Sequence, residues 1–277
     1  MSVQRMAQEF AFEASHFYRL PHLSPEENAR LFGNATRHHG HNYRVRVCYT
    51  ASPETPPALW EQIAHIVRNL IDTELDHRCL STEHPYFQQH LPTTENLAIY
   101  LWHALHSKVH IPIEQVEVLE SEMLASAYTG EPQPLPSGKN IHPVSLTRAY
   151  SFSCAHRLYN PQLSEAENRA HFGKCANPYG HGHDYRLEVT VRGPVDPTTG
   201  MVLPLAWLDA LVQKEILEVL DHRYLNEEVP PFDQIPPTSE NLVAFIVARL
   251  IPHFTNATRL VRVRLYETPR SYFEWEA

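Results

Sequence analysis

Residues Phe172–Arg192 read FGKCANPYGHGHDYRLEVTVR. From His183 they alternate: His183, Tyr185, Leu187, Val189 and Val191 fall on one side, Asp184, Arg186, Glu188, Thr190 and Arg192 on the other. That pattern predicts a half-buried β-strand. Strand side chains repeat every second residue, so His181 and His183 point the same way, and two neighbouring imidazoles can share a metal. Upstream stands Cys175, in a turn-forming run with Asn177, Pro178 and Gly180 that can fold the thiol back over the same place.

The rest of the composition sets bounds. With 277 residues, 43% hydrophobic and 20% charged, the chain is long enough for two ordinary domains and is globular in type. No apolar run reaches the roughly 18–20 residues of a membrane span, and the first residues, MSVQRMAQEFAFEASH, lack the layout of a secretory signal. A cytoplasmic protein is the expectation. A formal charge of −9 argues against non-specific nucleic-acid binding, while leaving room for a local basic pocket. Cys48, Cys79, Cys154 and Cys175 have no C-x-x-C spacing and read as reduced thiols. The unusual count is 19 histidines.

Their positions repeat. FEASHFYRLPHLSPEENARLFG (Phe12–Gly33) matches FSCAHRLYNPQLSEAENRAHFG (Phe152–Gly173), and HGHNYRVRV (His39–Val47) matches HGHDYRLEV (His181–Val189). ELDHRCL (Glu74–Leu80) matches VLDHRYL (Val219–Leu225), TTENL (Thr93–Leu97) matches TSENL (Thr238–Leu242), and VEVLE (Val116–Glu120) matches VRLYE (Val263–Glu267). The offset grows from 140 (His16 to His156) to 147 (Glu120 to Glu267), so order is kept while small insertions accumulate. Five collinear blocks mean a tandem duplication. We expect domains at 1–130 and 147–277, joined by a Pro-, Gly- and Ser-rich linker at 131–146.

Each copy has the same expected layout. A strand ends at the lone histidine, with Tyr150, Phe152, Cys154 and His156 on one face. A second strand begins at His-Gly-His. An amphipathic helix follows over Leu205–Leu220, then a helix capped by the Thr238-Ser239-Glu240 turn, then strands at Arg259–Tyr266 and Ser271–Trp275. The order ββααββ predicts an α+β unit, an antiparallel four-stranded sheet with both helices on one face. Such a sheet has two open edges, which edge-to-edge pairing into a closed β-barrel would remove.

Three constellations carry chemistry. His156, His181 and His183 offer three imidazoles and leave a fourth zinc position open, the arrangement of a catalytic rather than a structural site. A lone strand histidine is more often a satisfied core residue; recurrence of the set as His16, His39 and His41 argues for metal in both copies. Cys175, Asp221 and His222 form the second group. A thiol works as a base when a nearby cation lowers its pKa, and a carboxylate can orient an imidazole that passes a proton; the plain alternative for Asp221-His222 is a helix-end charge pair. Glu267 is the third, able to take two parallel N–H groups of a guanidine-like ligand edge, although a strand-end glutamate is usually only solvated.

Taken together, Phe152–His156, GKCANPYGHGHDY, LDHRYLN, PTSENL and YETP resemble the 6-pyruvoyltetrahydropterin synthase family, which includes the bacterial 6-carboxytetrahydropterin synthases. The resemblance covers residues 147–277. It implies the tunnelling fold, ββααββ units whose trimers close a twelve-stranded barrel and stack in pairs, and a pterin triphosphate substrate, 7,8-dihydroneopterin triphosphate. Carried over residue by residue, it implies that His156, His181 and His183 bind Zn2+, that Cys175 is the base with Asp221 and His222 acting together, and that Glu267 anchors the pterin, helped by Thr238, Ser239 and Glu240.

The first copy keeps His16, His39, His41, Asp76, His77, Thr93, Thr94, Glu95 and Glu120, but Ala35 stands where FG-x-C would put the thiol. Residues 1–130 are therefore expected to hold metal, and pterin through Glu120 and Thr93–Glu95, and to be catalytically weak; Asp76 and His77 could complete a neighbouring unit's site. Five residues separate Cys175 from His181, the spacing typical of the pyruvoyl-forming members, whereas three separate Ala35 from His39, typical of the carboxy-forming type. The expected activity is a zinc-dependent lyase making 6-pyruvoyltetrahydropterin. The alternatives are a 6-carboxytetrahydropterin synthase releasing acetaldehyde, and a non-catalytic pterin-binding protein. Three chains would supply six units, a homotrimer mimicking the family hexamer.

Overall fold

A computed structural model of the chain describes residues 4–52, 54–109, 112–131, 133–134, 140–255 and 257–277. Of the linker expected at 131–146, residues 132 and 135–139 lie outside the described residues, and the strand Pro143–His156 starts within it. The chain divides into two compact units, Met1–Thr147 with Arg192–Pro204, and Arg148–Val191 with Leu205–Ala277.

In the first unit the strands run in the order Leu124–Tyr128, Ile113–Ser121, His39–Ala51, Gln4–His16, with antiparallel pairing throughout. The two-residue strand Arg78–Cys79 lies parallel against Ala14 and Ser15 at the outer edge. Alternation decides which face is covered. Phe10, Phe12, Ala14 and His16 are buried on one strand, Tyr43, Val45, Val47 and Tyr49 on the next. Burying each large side chain of this set stabilises the fold by about 1.5–3 kcal/mol. Helices Pro57–Glu74 and Thr94–His106 contribute Ile63, Val67, Leu70, Leu97, Leu101 and Leu105 to the core. The first opens on Pro57, whose missing N–H has no partner to lose at a helix start; the second is capped by Thr93, whose hydroxyl accepts from the Asn96 N–H.

The second unit repeats the plan, with strand order Ser271–Glu276, Arg259–Thr268, His181–Pro194, Pro143–His156. Tyr185, Leu187, Val189 and Val191 are buried, the face that alternation predicts. The helix expected over Leu205–Leu220 is not uniform: Leu205–Val212 is α-helical, Gln213–Leu217 is a π-turn, and Glu218–Leu220 closes it. The wider turn still buries Leu208, Leu211, Val212, Ile216 and Leu220, so the apolar face survives the change of pitch.

Both units also carry a helix that the ββααββ reading omits. Pro25–Phe32 and Glu165–Phe172 sit between the first two strands, each opened by a capping box, Ser24 with Glu27 and Ser164 with Glu167. Among the described residues no helix is long and apolar enough to cross a membrane.

Candidate functional site

Register brings the histidines together. In the first unit His16 pairs with His39 across the two strands and Ala14 pairs with His41, so the third ring lies diagonal to the first on one face. The ring centroids of His16, His39 and His41 are 4.5–5.1 Å apart, and those of His156, His181 and His183 are 4.6–5.3 Å apart. The glycine between each histidine pair allows this approach: a Cβ on Gly40 would meet the Ala14 carbonyl at 2.9 Å, and one on Gly182 the Cys154 carbonyl at 3.2 Å.

The donor sets fit a metal. In each triad the ligating atoms all lie within 4.8 Å of one another. His156 Nε2 and His181 Nε2 are 3.2 Å apart, and His16 Nε2 and His39 Nε2 3.1 Å. Zinc–nitrogen bonds of about 2.0–2.1 Å in a tetrahedron put neighbouring nitrogens about 3.3 Å apart. The far ring nitrogens are held by backbone: His156 Nδ1 donates to the Pro237 carbonyl at 2.9 Å, His16 Nδ1 to Pro92 at 3.1 Å, and His39 Nδ1 to Arg37 at 2.7 Å. Such bonds fix the tautomer and turn the Nε2 lone pair inward. His41 Nε2 and His183 Nε2 are buried without a hydrogen-bond partner among the described residues. Burial, then the neighbouring His181, holds His156 down to about 4; burial, then His39, holds His16 down to about 3. The rings are therefore neutral near pH 7, the form that ligates metal.

Each triad faces a carboxylate set by a bulge. The strand pairing slips between Tyr266 and Thr268, and between Leu119 and Ser121, leaving Glu267 and Glu120 at the irregularity. A bulge re-aims a side chain that a regular strand would direct elsewhere. Glu267 Oε1 lies 3.5 Å from His183 Nε2 and 3.8 Å from His156 Nε2, and takes the Tyr185 hydroxyl at 3.5 Å. Glu120 lies 3.6 Å from His41 Nε2 and 3.9 Å from His16 Nε2.

Cys175 sits on the turn Gly173–Ala176, half-buried. The Leu158 N–H donates to the Cys175 carbonyl at 2.9 Å, which ties the thiol's turn to the chain two residues past His156. In the first unit the Tyr18 N–H donates to the Ala35 carbonyl at 2.8 Å. Ala35 thus occupies the place of Cys175, as the motif alignment indicates. Buried Asn168 secures the same loop, donating to the carbonyls of Asn160, Leu163 and Ser164 and accepting from the Asn160 N–H; Asn28 does so in the first unit. The other thiol of the second unit, Cys154, is buried, and burial followed by Asp221 and Glu267 pushes it up to about 12. It is no base at neutral pH.

Asp221 accepts from the Ser153 N–H at 2.8 Å and lies 3.0 Å from His222 Nδ1; the Ser153 N–H, then the His222 ring, hold its carboxyl below the usual range. His222 adopts φ +56, as does His77, a backbone that non-glycine residues rarely take. His222 lines a cleft of 560 Å³ together with Cys154, His183, Asp184 and Tyr224; Cys175 is not in that lining. In the first unit Asp76 repeats the arrangement, accepting from the Glu13 N–H at 2.9 Å and from His77 Nδ1 at 2.7 Å.

Thr238 caps the helix Ser239–Leu250, Ser239 is buried and Glu240 is exposed. Thr93, Thr94 and Glu95 are all buried. The sequence reading missed the Pro92 and Pro237 carbonyls, the two bulges and Asn28/Asn168. The proline before each Thr-x-Glu-Asn block and the asparagine shared by PEEN and EAEN are the signals that could have found the first and last.

The family profile described as 6-pyruvoyl tetrahydropterin synthase matches residues 5–131 and again 145–277. Over 130 residues the chain is 43% identical to 6-pyruvoyl tetrahydrobiopterin synthase of Drosophila melanogaster, covering 47% of this chain and 77% of that protein. It is 26% identical over 151 residues to 6-carboxy-5,6,7,8-tetrahydropterin synthase of Haemophilus influenzae, covering 47% and 97%. The solved structure of Caenorhabditis elegans 6-pyruvoyl tetrahydropterin synthase is 41% identical, spans 50% of this chain and 97% of its own, and superposes with a TM-score of 0.47.

Proposed function

The chain belongs to the 6-pyruvoyl tetrahydropterin synthase family, and we propose that its second repeat, within 147–277, is a lyase that converts 7,8-dihydroneopterin triphosphate to 6-pyruvoyltetrahydropterin with loss of triphosphate. The observation that carries this reading is the asymmetry of the repeats: both have the histidine triad, and only the second has a thiol on the turn tied beside it.

Zinc is the metal we assign, held by His156, His181 and His183 in the second repeat and by His16, His39 and His41 in the first. When bound there, zinc supplies Lewis acidity that makes the C–H bonds beside the substrate's side-chain hydroxyls more acidic. Cys175, as thiolate, takes a carbon-bound proton. His222 returns one, its ring oriented by Asp221, whose own oxygen is fixed by the Ser153 N–H. Glu267 holds the amino-pyrimidine edge of the pterin through paired N–H donors, with the Thr238–Glu240 turn beside it. The cleft lined by His222 excludes Cys175, which supports the reading that the Asp-His pair serves a thiol on another unit. Three chains, giving six units in β-barrels, would supply such neighbours, and Asp76 and His77 could then complete the Cys175 site. The first repeat, within 1–130, is a metal-holding, catalytically silent partner.

The test is the product. Purified protein with Zn2+ and 7,8-dihydroneopterin triphosphate should release triphosphate and no acetaldehyde. Stoichiometric acetaldehyde would make it a 6-carboxytetrahydropterin synthase instead, and binding without turnover would leave a pterin-binding protein.

A further inference from the structure

In the first unit the Thr93–Glu95 turn is engaged by the protein's own chain. Arg192–Pro204 belongs to this unit although the sequence assigns it to the second repeat. Within it Asp196 builds a turn, its carboxylate accepting from the Thr198 and Thr199 N–H groups while the Asp196 N–H donates to the Met201 carbonyl. That turn presents Gly200–Val202. The Thr93 hydroxyl donates to the Gly200 carbonyl at 2.6 Å, and the Val202 N–H donates to Glu95 Oε1 at 3.0 Å. Thr94 donates to Glu95 Oε2 at 3.2 Å, so each carboxylate oxygen already has a donor. Gly200 has φ +69, and a Cβ there would meet Asn96 Nδ2 at 2.5 Å and Thr93 Oγ1 at 3.1 Å, so only glycine fits.

Packing gives a second, independent observation. Met201 joins Tyr18, Leu20 and Phe32 in one buried cluster, against which Ala35 also packs. Ala35 is the position that carries the thiol in the second repeat. One segment thus places Met201 in the cluster against which Ala35 packs and occupies Thr93 and Glu95, the first repeat's counterparts of Thr238 and Glu240. The equivalent stretch of the first repeat, Ala51–Pro57, contains no Gly-Met-Val, and in the second repeat Glu240 is exposed.

We infer that Thr93 and Glu95 are a latch for the Gly200–Leu203 segment and not a pterin anchor, so that the chain takes up one pterin, in its second repeat. The latch stands on the first unit alone; the count of one pterin rests on the proposed function. Two measurements on the full-length protein separate them. Hydrogen exchange is followed at the Gly200–Leu203 amides, with Val45 and Val47 as internal controls for global folding. Removing a buried acceptor or donor of this kind should speed exchange at the segment about tenfold or more in Glu95→Ala and Thr93→Val, while Thr93→Ser, which keeps the hydroxyl, should retain protection. Segment protection unchanged in Glu95→Ala and Thr93→Val, with the controls intact, would overturn the latch. If both variants lose the controls as well, Thr93→Ser against Gly200→Ala decides: protection kept in the first and lost at the segment in the second supports the latch, and equal protection overturns it. Equilibrium dialysis with 7,8-dihydroneopterin should give one bound per chain; two per chain would overturn the single-site conclusion. No bound pterin would defeat the proposed function and leave the exchange result to judge the latch.

Discussion

Acid should unfold the metal-free protein through its triads. His156 is held at about 4 and His16 at about 3, against an ordinary value of 6.5. Both are lowered, chiefly by burial, so between those values and 6.5 the unfolded chain binds protons that the folded chain refuses. Stability is then complete above 6.5 and falls as pH drops through that window. One pKa unit corresponds to about 1.4 kcal/mol, so at pH 5 each of the two histidines should have cost the fold about 2 kcal/mol. The assay is urea denaturation of chelator-treated protein in steps from pH 7 to pH 4.5, comparing wild type with His156→Gln and His16→Gln. Each variant should flatten the wild-type slope by the share of the ring it replaces, because an amide neither takes up the proton nor abandons the backbone carbonyl, while the lesser burial-driven lowering of His41, His84, His90, His103 and His181 leaves a residual slope. Excess Zn2+ should oppose the loss, since ligation requires neutral rings. A wild-type curve that is flat over this range, or variants with the wild-type slope, would refute the reasoning that burial keeps these rings unprotonated.

Other outcomes follow from the same geometry. Cys175→Ala should lower turnover by about 10²–10⁴-fold, the usual contribution of a positioned base, with bound zinc unchanged by elemental analysis; wild-type turnover would remove Cys175 from the mechanism. A Cys175→Ala, Ala35→Cys double variant should stay inactive, because Ala35 packs against the buried Met201 cluster and its loop is two residues shorter; substantial product would count against that. Asp221→Asn should weaken the hold on His222 and lower kcat more than KM in steady-state assays, and an unchanged kcat would exclude the pair. Asp76→Ala should reduce activity if repeats alternate within a barrel, and full activity with the fold intact would exclude alternation.

Much of this was legible in the chain. Alternation placed His16, Ala14 and Phe12 on the face shared with Tyr43 and Val45, since side-chain direction in a strand depends only on parity. Duplication identified the same triad twice, and a missing thiol at Ala35 followed from aligning two loops. The short helices Pro25–Phe32 and Glu165–Phe172 were overlooked although their capping boxes stand in the sequence. The π-turn at Gln213–Leu217 leaves no comparable mark, because the apolar spacing fits either pitch.

What the residues alone determined were the repeat of one plan along the chain and the face that gathers each histidine triad, both set by local periodicity and residue type. What only the tertiary structure decided were the aim of Glu267 and Glu120, turned toward the rings by bulges that depend on the partner strand's register, and the allegiance of Arg192–Pro204. That segment reads as part of the second repeat, yet it is bound by Thr93 and Glu95, roughly a hundred residues away along the chain. Contacts of that range are fixed by packing and by the need to satisfy buried donors and acceptors, and no local pattern records them.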